Sequence, residues 1–198
     1  MRVASHFLLW SLGLSKATTQ TTDAERECLA RHASGREKLA EIGVWHGVTT
    51  CVLRGVMASH GVLYAVDPYP VGRLGFSFQR IIARREVRRV PNGELVWMRL
   101  TGAEAAKKIA EDGLGPVDLV FIDGDHTYEG LRQDWEGWSP LVCPGGTVAL
   151  HDSMPTPDRD IESIGSVRYT REIVSKDPRF ERVEVVDSLS VFQRREDV

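Results

Sequence analysis

The sequence contains few cysteines, and their arrangement suggests neither a crosslink nor a zinc motif. The three residues, Cys28, Cys51 and Cys143, lie far apart and lack a CxxC spacing. Such a scattered, odd-numbered set is typical of reduced thiols, so we interpret them as buried cysteines of a cytoplasmic protein and not as metal ligands. This interpretation excludes a small fold that depends on disulfides.

Long apolar runs are also missing. The stretch HFLLWSLGL, residues 6–14, has nine residues, whereas a helix that spans a bilayer needs about 20. Arg2 is the single basic residue before it and no clear small-residue cleavage site follows, so the sequence predicts neither a membrane span nor a signal peptide. A short apolar segment is instead typical of a helix that packs on its own domain or on a second copy of the chain in a homodimer.

The chain has no excess of basic charge. It carries 25 Lys and Arg residues against 28 Asp and Glu residues, with a formal net charge of -3, which argues against a nucleic-acid partner. No repeat or low-complexity tract is evident. The 198 residues therefore predict one domain over 1–198, with an N-terminal helical segment over 1–35.

Strand-like and helix-like segments alternate along the chain. The predicted strands begin with KLAEIG, VLYAVD, ELVWMRL, VDLVFID and GGTVALHD, and helical patterns separate them. The closing stretch RFERVEVVDSLSVFQRRE predicts a hairpin with a tight turn at Asp187 and Ser188. We therefore expect an α/β fold: a Rossmann-like, doubly wound, mainly parallel seven-stranded sheet with an antiparallel strand in the C-terminal hairpin.

One stretch, residues 68–92, lies outside this rhythm and suggests an inserted helix. Its arginines are Arg80, Arg84, Arg85, Arg88 and Arg89. They fit two interpretations, a solvated helix face or a lid that contacts an anionic substrate. The second rests on position, because the stretch follows a strand's carboxyl end, where ligands of such sheets bind.

A glycine-containing turn, AEIGVWHGVTT, joins the first strand to the first helix after it. Its spacing, Glu41-x-Gly43-x-x-x-Gly47, differs from the GxGxxG of pyrophosphate loops. The acidic residue suits a ligand with a positive group and a ribose, while glycine allows close approach to the backbone. A tight strand-to-helix turn without a ligand is the alternative.

Two further segments fit the same ligand. Asp67 ends the second strand, where a carboxylate can accept both ribose hydroxyls, although Asp-Pro is also a common turn. In LTGAEAA, which follows the third strand, an adenine ring could lie over Gly102 and Ala103.

Polar side chains also follow the fourth and fifth strands. Asp123 ends the fourth, His151 and Asp152 end the fifth, and Asp125 and His126 stand just beyond Asp123. Because neighbouring strands lie about 4.8 Å apart, these groups can converge. Carboxylates with water suit Mg²⁺ or Mn²⁺, and an imidazole favours later divalent metals. The alternative is a structural histidine with satisfied hydrogen bonds.

The motifs EIGVWHGVTT, VDPYP and FIDGDHTYEGLRQDWEGWSPLVCPGGTVALHD resemble the small S-adenosylmethionine-dependent class I methyltransferases with the Asp-Gly-Asp-His-x-Tyr signature. Metal-dependent relatives of that family include catechol and caffeoyl-CoA O-methyltransferases and the macrolide and aminocoumarin sugar O-methyltransferases. The resemblance covers about Leu39 to Asp152. It implies an enzyme that transfers a methyl group from S-adenosylmethionine to a hydroxyl.

The resemblance also implies roles for individual residues. The cofactor-binding residues would be Glu41, Gly43, Trp45, His46, Gly47, Asp67, Gly102, Ala103, Asp123 and His126. A divalent metal, Mg²⁺ by analogy, would be held by Asp123, His151 and Asp152, although the family usually has an acid where this chain has His151. His126 would be the general base, with His151 as the alternative.

The acceptor implied by the closest branch of the resemblance is a hydroxyl of a sugar or oligosaccharide, of mannoside type. A catechol-type or other natural-product O-methyltransferase is the alternative, and a cephalosporin-hydroxylase-like branch shares the motifs. Two other classes stay open, an NAD-dependent oxidoreductase and a non-catalytic module that binds S-adenosylmethionine.

Overall fold

A computed structural model describes residues 3–72, 75–157 and 159–196 of the chain. The predicted segments 1–35 and 68–92 thus each include two residues, 1–2 and 73–74, outside the described part. Seven strands form one sheet in the order β3-β2-β1-β4-β5-β7-β6. Their bounds are β1 Lys38–Ile42, β2 Val62–Val66, β3 Glu94–Met98, β4 Val117–Ile122, β5 Val142–Leu150, β6 Phe180–Val186 and β7 Leu189–Arg194.

The sheet has the predicted mixture of directions. Strands β1 to β5 pair in parallel, whereas β7 is antiparallel to both of its neighbours, β5 and β6. The β6–β7 hairpin turns at Asp187, whose φ is 50°, and Ser188. The predicted α/β fold with a mainly parallel seven-stranded sheet is therefore confirmed.

Seven α-helices surround the sheet. Their bounds are α1 Val3–Ser11, α2 Asp23–Ala33, α3 Val48–Val56, α4 Phe78–Val87, α5 Gly102–Glu111, α6 Tyr128–Trp138 and α7 Gly165–Glu172, with 3₁₀ turns at Ser139–Leu141 and Val174–Lys176, all within the described ranges. Helices α2 and α5 begin with capping boxes, Thr22 with Glu25 and Thr101 with Glu104. In each box a hydroxyl and a carboxylate satisfy free N–H groups of the first turn.

The central strands are buried on both faces. In β4, Val120 and Ile122 belong to the core that includes Trp138, while Leu119 and Phe121 belong to the opposite core. Alternate side chains of a strand point to opposite faces, and burial on both is typical of a parallel sheet covered by helices. Within the described ranges, no helix combines the length and apolarity that crossing a membrane requires.

The segment predicted as an insertion is a regular part of the fold. Helix α4 connects β2 to β3, which pair in parallel, and a parallel pair needs such a crossover. Ile82, Ala83 and Val87 bury an apolar face of α4 that the arginines obscured in the sequence. The interpretation of 68–92 as an inserted lid or substrate segment stays a prediction.

Helix α1 packs on α4. The rings of Phe7 and Phe78 are 4.7 Å apart, and Nε1 of Trp10 donates to Oε1 of Glu86 at 2.7 Å. Arg85 stacks over the Trp10 ring at 5.2 Å. The apolar N-terminal stretch thus packs on its own domain, which was one of the two expected arrangements.

Candidate functional site

A cavity of about 370 Å³ opens at the carboxyl ends of the central strands. Six residues predicted to bind a cofactor line it: Gly43, Trp45, Asp67, Gly102, Ala103 and Asp123. They come from the segments that follow β1, β2, β3 and β4, because the carboxyl ends of parallel strands meet at one edge of the sheet.

Gly43 allows the ends of β1 and β4 to pass closely. Its φ is 89°, and a Cβ atom there would lie 2.0 Å from the carbonyl oxygen of Asp123. A side chain would therefore clash with backbone and also strain the dihedral. Gly43 sets the shape of the cavity floor.

Asp67 organises the loop after β1. Its Oδ2 accepts hydrogen bonds from the N–H groups of Val44 and Trp45, at 3.1 and 3.0 Å. Its Oδ1 accepts from the N–H of Tyr69 at 2.8 Å. The carboxylate therefore joins the turn after β2 to the turn after β1 while it faces the cavity.

Glu41 lies beneath the glycine loop, fully buried. The hydroxyls of Thr49 and Thr50, in the first turn of α3, donate to its two oxygens. Burial raises the pKa of Glu41 to about 8; the hydroxyl contacts oppose this rise, and the charges of Asp123 and Asp67 add to it. Glu41 therefore supports the loop from below and does not line the cavity.

His46 and Gly47 also stay outside the cavity lining. The buried His46 ring stacks on His6 with centroids 5.0 Å apart, and its Nδ1 lies 2.8 Å from the hydroxyl of Thr18. Burial, followed by the proximity of His6, lowers the pKa of His46 to about 4. Gly47 begins α3 with a φ of 78°. These two predicted cofactor residues hold the loop in place.

A second cavity, of about 210 Å³, adjoins the first. The two share Gly43, Trp45, Asp123 and Gly124. The second also contains His126 and the segment 18–20. A molecule in either cavity would therefore meet Asp123.

Three predicted catalytic or metal-binding residues meet where the cavities join. Nδ1 of His151 lies 2.8 Å from Oδ1 of Asp123, and Nε2 of His126 lies 3.5 Å from the same oxygen. Asp123, His126 and His151 each offer one possible ligand atom, and these three atoms lie within 4.8 Å of one another. The strand ends thus converge as predicted, with His126 in place of Asp152 as the third residue of the group.

Asp152 pairs with a cation of the protein. Its Oδ1 and Oδ2 lie 2.8 and 3.1 Å from the two terminal nitrogens of Arg159. Oδ2 is also 3.7 Å from Nδ1 of His126. Oδ1 of Asp152 is 3.6 Å from Nδ1 of His151. Asp152 therefore stays beside both histidines, but Arg159 already balances its charge.

Glu25 joins the cluster from α2, which the sequence did not predict. Its Oε2 lies 3.4 Å from Nε2 of His151, and Oε1 accepts from the N–H and hydroxyl of Ser188. Burial would lower the pKa of His151, but the contacts with Asp123 and Glu25 and the charge of Asp152 outweigh it and raise the pKa to about 10. Burial would raise the pKa of Glu25, yet these partners lower it to about 2.

Asp134 is a second residue that the sequence did not assign to the site. It projects from α6 into the first cavity, and a Cβ atom on Gly102 would come within 2.0 Å of its Oδ1. Burial, and then the charge of Asp125, raise the pKa of Asp134 to about 7. A signal was present in the sequence, because Asp134 lies on the same apolar helix face as Leu131 and Trp135.

Comparison with known proteins gives one family match and several similar folds. A family model described as a methyltransferase domain matches residues 40–153. The uncharacterized protein y4gI of Sinorhizobium fredii is 27% identical over 129 residues, or 62% of this chain, and the match spans 14% of that protein.

Two solved structures illustrate the similarity in fold. The O-methyltransferase from Bacillus cereus in complex with SAH has a TM-score of 0.67 and 16% identity, with 98% of this chain and 91% of that chain covered. The O-methyltransferase TomG from Streptomyces achromogenes, involved in tomaymycin synthesis and solved with SAM, has a TM-score of 0.65 and 14% identity, with 98% and 90% covered.

Proposed function

The chain belongs to the methyltransferase-domain family, and from this premise we propose that it is an S-adenosylmethionine-dependent O-methyltransferase acting on a hydroxyl of a small molecule. The observation that carries the proposal is the meeting of two cavities at Asp123. One has the residues for a nucleoside, and the other contains an imidazole that can accept a proton. A donor and an acceptor held in these cavities would have their reacting atoms brought together.

The first cavity suits the nucleoside part of the cofactor. The Asp67 carboxylate has about four acceptor positions and accepts three N–H groups, so about one position is left for a ribose hydroxyl. Gly102 and Ala103 would lie against the adenine ring, opposite Asp134. Gly43 would let the methionine part approach the backbone above Glu41. When bound, S-adenosylmethionine supplies an electrophilic methyl group on its sulfonium.

His126 is the residue we propose as general base. Its side chain is 33% exposed and lines the second cavity, so an acceptor hydroxyl can reach it. Asp123 and Asp152 lie 3.5 and 3.7 Å from its two ring nitrogens and would stabilise the imidazolium that forms. His151 is less suited, because its side chain is fully buried and its pKa of about 10 keeps it protonated.

A divalent metal would fit the same cluster. Both ring nitrogens of His151 are buried without a well-directed hydrogen bond among the described residues, and Asp123 and His126 complete a three-residue donor set. A metal ion would have to displace the proton that His151 keeps in its absence, because a ligating imidazole is neutral. Two imidazoles and one carboxylate favour a transition ion over the predicted Mg²⁺. A bound ion would supply Lewis-acid activation of the acceptor hydroxyl. A His126 nitrogen that binds a metal ion cannot also accept a proton. Activity measured after a chelator has removed metal therefore distinguishes the two roles.

We propose a sugar or oligosaccharide hydroxyl, of mannoside type, as the acceptor. Trp45 supports this, because it is 46% exposed at the rim that both cavities share, and an aromatic face can stack on a sugar ring. Assays of S-adenosylhomocysteine release with mannosides and with catechols test the choice. Turnover of catechols alone would reject the sugar acceptor and favour a natural-product enzyme.

Cofactor binding tests the first requirement of the proposal, that the chain binds S-adenosylmethionine or its product. Calorimetry with S-adenosylhomocysteine should give a micromolar or tighter Kd that Asp67→Asn weakens about tenfold, since one charged hydrogen bond is lost. Asp112→Asn, at the exposed end of α5, is the matched control. Binding of NADH with no binding of S-adenosylhomocysteine would replace the proposal with an oxidoreductase.

We further propose that the enzyme is cytoplasmic and dimeric. All three cysteines are free, and Leu8, Leu12 and Leu14 on and after α1 are exposed at 57%, 63% and 71%. An apolar face of this kind is typical of a protein contact. Size-exclusion chromatography of the full chain and of a chain without residues 1–16 is the test. A monomeric full chain would reject the dimer, and an unchanged oligomeric state after truncation would reject α1 as its interface.

A further inference from the structure

A second group of metal-ligating side chains lies away from the two cavities. Cys28 and His32 are four residues apart on α2 and therefore share one face of the helix. Glu184 of β6 faces them, with its Oε2 at 2.9 Å from Nε2 of His32. The sulfur, one ring nitrogen and one carboxylate oxygen all lie within 4.8 Å of one another.

We propose that Cys28, His32 and Glu184 bind a thiophilic divalent metal ion, of which Zn²⁺ is the natural representative. This revises the interpretation from cysteine spacing alone, which cannot show that His32 and Glu184 lie beside Cys28. Thiolate, imidazole and carboxylate are the three kinds of ligand that zinc takes in proteins, and three of them leave a fourth position for water. The ionised sulfur and carboxylate together balance the charge of a divalent ion. The inference is independent of the proposed transferase activity.

The surroundings of the cluster suit an ion that enters from solvent. Cys28 is fully buried, whereas the side chains of His32 and Glu184 are 21% and 32% exposed. The sulfur thus forms the base of the site and the other two donors form its rim. Arg31 lies 2.5 Å from the second oxygen of Glu184 and holds the carboxylate in orientation, as outer-shell partners of metal ligands do.

The buried sulfur of Cys28 determines which ions can bind. Zinc and cobalt bind thiolates, and such an ion takes the place of the thiol proton. Mg²⁺ prefers a shell of oxygen ligands, which a sulfur at the base of the site cannot supply. The selectivity of this site therefore differs from that of an oxygen-rich site.

A metal ion at this site would add a second attachment between α2 and the β6–β7 hairpin. The first turn of α2 is already fastened to the β6–β7 hairpin, since the hydroxyl of Thr22 donates to Asp187 and Glu25 accepts from Ser188. A metal ion at Cys28 and His32 would fasten the rest of the helix to β6. Its binding would therefore stabilise the folded protein by RT ln(1 + c/Kd), where c is the free ion concentration, which rises with the logarithm of that concentration above Kd.

Cobalt titration of the full chain tests the proposal. Co²⁺ bound to a thiolate gives a sulfur-to-metal charge-transfer absorption, and the cluster of Asp123, His126 and His151 contains no sulfur. The wild type should develop this band to a plateau that corresponds to one thiolate-bound Co²⁺ per chain, whatever amount the sulfur-free cluster also takes up, and Zn²⁺ should abolish it by displacement. Cys28→Ser should lose the band, whereas the matched Cys143→Ser should keep it.

Variants at the rim make the test robust, because Cys28 is buried and Cys28→Ser could fail to fold. His32→Gln and Glu184→Gln change partly exposed residues, and each should weaken cobalt affinity at least tenfold. His60→Gln and Glu181→Gln, at exposed positions, should leave it unchanged. The absence of the band in the wild type, its persistence in folded Cys28→Ser, or unchanged affinity in both rim variants would overturn the proposal.

Discussion

The first cavity and the cluster around Asp123 lie at the same edge of the sheet, yet they are assembled in different ways. The cavity is made by turns that directly follow β1, β2 and β3, and its shape depends on backbone positions such as Gly43 and Gly102. The cluster depends on side-chain charges from separate segments, including Glu25 of α2 and Arg159 of the loop after β5. Backbone shape is local in sequence, whereas charge balance is not.

This difference predicts two kinds of sensitivity. Changes in the cavity should alter folding and cofactor binding, because they move backbone. Changes in the cluster should alter turnover with little effect on cofactor affinity. Asp123 lies where the two cavities meet, and the other members of the cluster lie outside the first cavity, where the cofactor would bind. Substitutions that separate the two effects test the comparison.

The largest effect is expected from Gly43→Ala. The new Cβ would lie 2.0 Å from the Asp123 carbonyl oxygen, at a φ of 89°. We expect a loss of about 4 kcal/mol in the free energy of unfolding, together with loss of cofactor binding. Thermal unfolding and calorimetry with S-adenosylhomocysteine measure both.

The matched control is Gly55→Ala. Gly55 lies in α3, and a Cβ atom there would have no neighbour within 4 Å. Alanine should therefore be neutral or stabilise the helix by about 0.5 kcal/mol. Equal effects of the two substitutions would contradict the role given to Gly43.

His126→Ala should have the next largest effect, and on turnover alone. Loss of a general base costs about 10²-fold or more, whereas the Kd for S-adenosylhomocysteine should change less than threefold. Steady-state turnover across pH 6 to 9, with His60→Ala as an exposed control, is the measurement. Turnover near that of the wild type over this range would reject His126 as the base.

The parts of the site that the sequence revealed are those that strand ends bring together. Gly43, Asp67 and Gly102 follow predicted strands, so the edge that they share could be predicted. Glu25 could not be assigned to His151, because its contact depends on how α2 docks on the β6–β7 hairpin. Its capping box with Thr22 was visible in the sequence, but that box predicts a helix start and not a partner.

The fold was predicted almost completely. The exception is α4, which was interpreted as an inserted helix and not as the crossover between β2 and β3. Alternating strands and helices require crossovers, and α4 is one of them, yet its arginines directed attention to a solvated face or a lid. Arg159 could not be predicted as the partner of Asp152, since it lies in an irregular loop after β5 with no periodic pattern. Side-chain pairing across loops depends on tertiary geometry that sequence spacing does not contain.

A smaller effect, and one that depends on pH, is expected for Asp134→Asn. The folded-state pKa of about 7 exceeds the unfolded value near 3.9. The stability that the protonated carboxyl contributes is therefore complete below pH 3.9 and is lost as pH rises to about 7. Asparagine stays neutral, so the variant should gain about 2 kcal/mol relative to the wild type between pH 4 and 8, roughly half of the full linkage value because the cavity admits water.

Urea unfolding at several pH values measures this difference. Asp112→Asn, at an exposed helix end, should follow the wild type throughout. A constant difference between Asp134→Asn and the wild type from pH 4 to 8 would show that the carboxyl does not titrate in the cavity.

The smallest effect is expected for Glu25→Gln, which tests how far the cluster extends from the cavities. The single amide oxygen can still accept from the N–H and hydroxyl of Ser188, so α2 should stay docked on the hairpin. The bond from the N–H of Thr22 to the other oxygen and the charge facing His151 at 3.4 Å are lost. A positioning partner of this kind is worth about tenfold in turnover, and cofactor affinity should not change. Glu27→Gln, exposed on the same helix, is the control. If Glu25→Gln lowers the melting temperature while turnover per folded molecule stays constant, Glu25 only anchors α2, and the cluster ends at His151.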